Sequence, residues 1–303
     1  MKIVFMGTPD FARKSLEQLY SCEHEIVGVF TQPDRPRSRG MKVSYSTVKE
    51  LALMHETPVY QPVSLRSEAD LDILRKLDFD LIVVVAYGNL LPTEVLNMPP
   101  LGSINIHASI LPKYRGAAPI QWAVLNGEKI TGVTSMYMAE ELDAGDIILT
   151  KETPIGEDET SGELFDRLMD MGAKLLGETI DAISKGDAPR IPQNHSIATY
   201  APKINKDMSL IDWNTDAFNI KCKVRGLNPW PAATMSLNDK IYKVFSVDIS
   251  ENRSSKAPGE IVSAGKSGIE IACLDGTVII KQLQAPGGKR MSAADHLKGN
   301  PIF

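Results

Sequence analysis

Residues 103–116 of this 303-residue chain read SINIHASILPKYRG, and two of their side chains, Asn105 and His107, could do chemistry on a carbonyl group. Side chains two apart on a strand share a face. An amide donor and a titratable ring therefore project together, with Ser103 beside them, while Ile104 and Ile106 turn the other way. A second polar cluster, Glu141-Leu142-Asp143-Ala144-Gly145-Asp146, follows later in the chain. A carboxylate beside an imidazole favours the protonated ring and fixes its tautomer, so such a pair can hold or pass a proton near neutral pH. An amide and an imidazolium aimed at one point stabilise an oxyanion as a carbonyl is attacked, and the acid takes up the proton that an attacking amine loses. The set suits acyl transfer to an amine. Serine-nucleophile chemistry fits less well, because the chain has no G-x-S-x-G elbow. Each piece also has a plainer account: a buried polar pair tied off by backbone, and an Asp- and Gly-rich turn. Only a fold that brings Asp143 to His107 decides between them.

The elements that must position these residues follow from periodicity. KIVFMG (2–7), IVGVF (26–30) and FDLIVVVAYG (79–88) read as strands, alternating with helical spacing in FARKSLEQLY, STVKELALMH and EADLDILRKL. The 79–88 run is apolar at successive positions, as in a strand covered on both faces, so the sheet is expected to be parallel and flanked by helices. GSINIHAS is the next strand, which places Asn105 and His107 near the carboxyl end of a parallel strand, where α/β sheets bind ligands. AAPIQWAVLNG reads as a helix stopped by Gly127. Two strands joined through 142–145 come next, then a long amphipathic helix ending at Gly186. Pro189, Pro192 and Pro202 mark a linker. Beyond it, one helix is followed by short strands at about ten-residue spacing, which indicates a small barrel or sandwich. The expected division is 1–188, 189–206 and 207–303.

Composition narrows the partners. No apolar run reaches the roughly 18–20 residues of a membrane span. The N-terminus does not read as a signal peptide, so a cytoplasmic protein is expected. Cys22, Cys222 and Cys273 lack C-x-x-C spacing, which argues against disulfides and thiolate zinc. The net charge of −5 is uneven: residues 206–303 carry 13 Lys and Arg against 10 Asp and Glu, leaving 20 against 28 in the rest. That asymmetry permits a polyanionic partner at the C-terminal end. Gly7 opens no G-x-G-x-x-G, so nicotinamide and flavin are disfavoured.

Asn105-x-His107, followed by Ser109-Ile110-Leu111-Pro112 and Arg115-Gly116, with Asp143 of Leu142-Asp143-x-Gly145 lying 36 positions after His107, resembles the folate-dependent formyltransferase family. The resemblance implies a Rossmann-like, mostly parallel sheet with helices on both faces, then a small C-terminal β-barrel of oligonucleotide-binding type. It implies Asn105, His107 and Asp143 as the catalytic set, Ser109, Ile110, Leu111 and Pro112 as folate contacts, 10-formyltetrahydrofolate as formyl donor, and no metal. Three further stretches, GAAPIQW (116–122), QPDRP (32–36) and LQAP (283–286) with KRMSA (289–293), are similar to the branch of that family whose acceptor is methionyl initiator tRNA. A monomer with no membrane or DNA partner is the accompanying expectation.

The 32–43 loop holds Arg35, Arg37, Arg39 and Lys42 against Asp34 alone, with Pro33, Pro36 and Gly40 opposing regular structure. In a generic protein it would be a solvated surface loop. The resemblance implies contact with the tRNA acceptor end, where four cations could meet phosphates. Lys206 and Arg225 are the C-terminal candidates for the same role, among scattered bases that could equally be a solvated face. Three alternatives stay open at this level: formyl transfer to a small amine, a catalytically silent RNA-binding protein, and hydrolysis of the formyl folate by water.

Overall fold

The computed structural model describes residues 1–37 and 42–301. Two compact units interleave along the chain. The first comprises 1–116, 132–153 and 166–200, and the second 117–131, 154–165 and 201–303.

The first unit is built on a seven-stranded sheet. Its strands and helices are β1 (Lys2–Gly7), α1 (Asp10–Tyr20), β2 (Glu25–Phe30), β3 (Arg35–Arg37), β4 (Lys42–Ser44), α2 (Thr47–Met54), β5 (Val59–Tyr60), α3 (Glu68–Arg75), β6 (Leu81–Val85), α4 (Thr93–Leu96) and β7 (Ser103–His107). After α5 (Pro119–Leu125) come β8 (Ile130–Tyr137), β9 (Ile147–Pro154) and the long α6 (Ser161–Lys185). The sheet order is β5-β2-β1-β6-β7-β8-β9. β2, β1, β6 and β7 run parallel, and β8 pairs antiparallel with β7. The expected mostly parallel α/β sheet is therefore present, with an antiparallel hairpin added at one edge. All five residues of β6, LIVVV, are buried, as a strand covered on both faces requires. Each such side chain contributes about 1.5–3 kcal/mol relative to exposure.

Two features of this sheet aim the site. The parallel strands end together: the Thr8 hydroxyl after β1 donates to the Tyr87 carbonyl after β6, and the Gln32 amide nitrogen after β2 donates to the same carbonyl. On the opposite face of β7, Ile106 lies under α6, where a Cβ on Gly172 would stand 3.2 Å from it. Burial of Ile104 and Ile106 on that side fixes the register and leaves the other side of the strand to Asn105 and His107.

The 32–43 loop departs from expectation. β3 and β4 pair antiparallel, Arg35 opposite Ser44, Pro36 opposite Val43 and Arg37 opposite Lys42. Pro36 does not prevent this, because a strand in a two-stranded ribbon has one unpaired edge and a proline is tolerated there. The loop's root is anchored too: Lys49 donates to Asp34 at 2.5 Å, and Gln61 donates to Asp34 at 2.8 Å and to the Gln32 carbonyl at 2.9 Å.

The second unit carries α7 (Ala217–Gly226), β10 (Ala233–Leu237), β11 (Lys240–Ser250), β12 (Ile261–Gly265), β13 (Gly268–Ala272), β14 (Thr277–Gln284), β15 (Arg290–Ser292) and α8 (Ala293–Gly299). The strands form an antiparallel sheet ordered β10-β11-β14-β13-β12, with β15 on β14, in line with the short strands read from sequence. Asp216 caps α7 by accepting from the Asn219 amide at 2.8 Å, and Ser292 caps α8 by accepting from the Asp295 amide at 3.0 Å. The apolar stripe of α7, Ala217, Ile220 and Val224, joins Met235, Val244, Ile269, Val278, Ile280 and Leu283 in one core. α5 belongs to this unit, with Ala118 and Trp122 packed against Ile204 and Leu227, and the Trp122 indole donates to the Pro202 carbonyl.

Candidate active site

His107 ends β7 and is 6% exposed. Its Nε2 stands 2.8 Å from the Tyr114 carbonyl. A carbonyl only accepts, so Nε2 carries the proton and Nδ1 is the free ring nitrogen. Nδ1 faces Asp143, whose Oδ2 is 3.7 Å away on a side chain 11% exposed. The same oxygen accepts from the Gly116 amide at 2.8 Å. The acid and the ring, 36 positions apart in sequence, thus meet.

Local structure explains the meeting. Gly116 has φ +115, a conformation closed to most side chains, and this bend turns its N–H to the carboxylate. Asp143 itself sits at φ +50 in the connection between β8 and β9. Gly145 follows because nothing larger fits: a Cβ there would lie 1.9 Å from the Tyr137 carbonyl oxygen. The Asp-x-Gly spacing is a turn, and the turn delivers the acid.

Asn105, half-buried and two residues before His107, makes no side-chain hydrogen bond to the described residues. Ser103 differs, because its hydroxyl donates to the Leu96 carbonyl at 3.0 Å and is consumed there. Of the polar residues on this strand face, the amide of Asn105 and Nδ1 of His107 are the ones left available to an incoming group.

The 109–112 segment divides in two. Ser109 is fully buried and its hydroxyl donates to the Lys113 carbonyl at 2.6 Å, while its own carbonyl accepts from Thr134 at 2.7 Å. Leu111 is buried as well. Ile110 and Pro112 keep partly exposed surface. Ser109 and Leu111 shape the loop, and Ile110 and Pro112 can touch a ligand with their side chains.

The cationic candidates also separate. Arg35, Arg37 and Lys42 lie on the paired strands β3 and β4, and Arg39 lies outside the described residues. Lys206 is exposed. Arg225, a candidate phosphate contact by sequence, is 8% exposed, and Nη1 of its guanidinium donates to the Gly156 carbonyl at 3.0 Å and the Glu159 carbonyl at 3.4 Å. A side chain this buried leaves little of its guanidinium to a phosphate. Among the described residues no group of His, Cys, Asp and Glu is placed to hold a metal ion, and no helix is long and apolar enough to cross a membrane.

Sequence reasoning passed over Gln193 and the depth of Arg115. Gln193 is buried beside the 143–145 turn, and Arg115 is 1% exposed, with Glu141 at 3.4 Å. No periodicity marks Gln193, which lies between prolines in a stretch that reads as linker.

Residues 1–180 match the family model described as formyl transferase, and residues 203–301 match the model of the formyl transferase C-terminal domain. A methionyl-tRNA formyltransferase of Clostridioides difficile (strain 630) is 48% identical over 302 residues, covering 100% of this chain and 98% of that protein. One of Citrifermentans bemidjiense is 48% identical over 299 residues, covering 99% and 93%. Among solved structures, an N-formyltransferase from Helicobacter canadensis in complex with folinic acid and dTDP-3-aminofucose superposes with a TM-score of 0.69 at 19% identity, over 92% of this chain and 98% of that one. At that identity the likeness is one of fold.

Proposed function

The chain belongs to the formyl transferase family, and from that premise we propose that it transfers the formyl group of 10-formyltetrahydrofolate to the free amino group of methionine esterified to initiator tRNA. What supports this reading is the 3.7 Å approach of Asp143 to the His107 ring, with Asn105 two residues earlier on the same strand, joined to full-length similarity with relatives named for that reaction.

The residues fit a bound formyl folate. Asn105 offers the formyl oxygen an amide that has no hydrogen-bond partner among the described residues, and Ile110 and Pro112 offer apolar surface to the flat ring system. The folate supplies an activated formyl group on nitrogen, and this chain supplies position and charge. Asn105, and Nδ1 of His107 once the ring takes up a second proton, hold the formyl oxygen as negative charge develops on it. Asp143 stabilises the imidazolium across 3.7 Å and, through water, accepts the proton lost by the attacking amine. Its carboxylate stays aimed because Gly116 N–H holds one oxygen. The new bond joins the methionyl nitrogen to the formyl carbon, the bond from that carbon to the folate nitrogen breaks, and the proton passes to the leaving nitrogen.

Residues 1–188 act as the catalytic domain in this reading, 189–206 as linker and 207–303 as tRNA-binding domain. Arg35, Arg37, Arg39 and Lys42 meet phosphates of the acceptor end, and Lys206 meets the backbone elsewhere. The protein works as a cytoplasmic monomer in translation initiation.

The test is an assay with 10-formyltetrahydrofolate and methionyl initiator tRNA, methionyl elongator tRNA, free methionine, or water alone with formate release followed. Transfer to the first acceptor only is the expected result. Equal transfer to free methionine, or formate release at the same rate without tRNA, would overturn the reading.

A further inference from the structure

The side chain of Gln193 is enclosed by the active-site turn. Its amide nitrogen donates to the Asp143 carbonyl at 2.9 Å and to the Gly145 carbonyl at 2.8 Å. Its amide oxygen accepts from Arg115, at 3.2 Å from Nε and 2.8 Å from Nη2. The reverse placing of the amide atoms is excluded, since a guanidinium only donates and a carbonyl only accepts. Every polar valence of this buried amide is thus spent on two objects, the Arg115 fork and the two carbonyls that flank Ala144.

Arg115 is a firm anchor. Its backbone N–H donates to the Thr199 carbonyl at 2.8 Å, and its Nη2 also lies 3.3 Å from His195 Nδ1. Its carboxylate partner, Glu141, is 60% exposed and 3.4 Å distant, so the closest acceptor for this buried cation is Gln193. The turn, in contrast, needs holding. Asp143 sits at φ +50, which a non-glycine residue keeps only where its surroundings impose it. The Asp143 carboxylate is 3.7 Å from the His107 ring, and backbone rotation at 143 would swing it away.

We propose that Gln193, clamped by Arg115, is a positioning residue that locks the 143–145 turn and thereby fixes the Asp143 carboxylate against His107. This rests on the function proposed above, and it assigns a catalytic consequence to a residue that touches no reacting atom. A residue that merely fills space would, on replacement, lower stability and leave the split between kcat and KM unchanged.

The experiment uses the full chain and three variants: Gln193→Glu, Asp143→Asn and the two combined. Gln193→Glu keeps the volume and the accepting face toward Arg115 and loses the amide donors to the two carbonyls. We expect kcat to fall by about 10- to 100-fold with KM for both substrates held within about twofold, since the loss is one of aim. In the Asp143→Asn background the same change costs less than about twofold, because both act through one carboxylate. A fall of equal size in both backgrounds, a raised KM at unchanged kcat, or a kcat within about twofold of the parent overturns the proposal. Where Gln193→Glu does not fold, Arg115→Lys, which keeps the charge and loses the fork, takes its place in the same cycle. A parent enzyme that transfers no formyl group refutes the function and not the lock. In that case the ¹⁵N resonances of the His107 ring are followed against pH. The lock requires the Gln193→Glu curve to move toward that of Asp143→Asn, and an unchanged curve overturns it.

Discussion

Gly145→Ala is the smallest perturbation with a calculable effect on the site. A methyl group built on Gly145 lies 1.9 Å from the Tyr137 carbonyl oxygen, and real Cβ atoms keep more than 3.0 Å from such neighbours. The neighbour is backbone of a strand whose Tyr137 N–H already donates to the Asp146 carbonyl at 2.9 Å, so it cannot turn aside like a side chain tip. Turn and strand must part by about 1 Å, and overpacking of that kind costs roughly 1–3 kcal/mol. The displacement is carried to Asp143 two residues earlier, whose carboxylate is set by one 2.8 Å hydrogen bond from Gly116. A misplacement of about 1 Å at a reacting constellation lowers rate by about 10²-fold. Single-turnover formylation at saturating 10-formyltetrahydrofolate, read beside a thermal melt, measures both effects. A variant that melts lower yet formylates within about threefold of the parent rate would refute the claim that this turn aims the acid.

Two further outcomes follow from the C-terminal unit. Arg225→Ala, which removes a buried donor to the Gly156 and Glu159 carbonyls, is expected to lose about 1–3 kcal/mol in denaturant titrations. It should leave the salt dependence of tRNA binding unchanged, whereas exposed Lys206→Ala should reduce that slope by about one phosphate contact. A shallower slope for Arg225→Ala would restore it as a tRNA contact. Burial pushes the Glu270 carboxyl up, but hydrogen bonds from Thr277, Asn252, Ser263 and Ser250 outweigh it and hold the group below the ordinary value of 4.5. A group depressed in the fold stabilises it fully above the unfolded value and loses that contribution as pH falls through the folded one. Acid melts of Glu270→Gln should therefore converge on the parent below about pH 4.5 and lie beneath it at neutral pH. Parallel curves across that range would contradict this.

The sequence carried the frame of the site further than its lining. Continuous apolar runs such as LIVVV announce a buried parallel strand through composition alone, and i, i+2 spacing puts Asn105 and His107 on one face whatever the fold around them. Asp143 was legible as chemistry but not as position, because a turn reads the same wherever the chain then travels. Gln193 shows what local patterns omit. Its four closest partner atoms belong to residues 115, 143 and 145, and a segment without periodicity gives no sign that one amide in it faces inward. Arg225 and Lys206 look alike as letters, and only the packing of α7 makes one a brace and leaves the other in solvent. The β3–β4 ribbon was hidden by Pro36, whose missing N–H matters less on an edge than within a sheet.

The central claim is tested most directly by kcat and KM for Asp143→Asn with 10-formyltetrahydrofolate and methionyl initiator tRNA. Asparagine can still accept from Gly116 N–H, so the turn survives while the charge facing Nδ1 is removed. The account predicts kcat lowered by about 10²- to 10⁴-fold, with both KM values within about twofold. A variant that turns over within about threefold of the parent would contradict it.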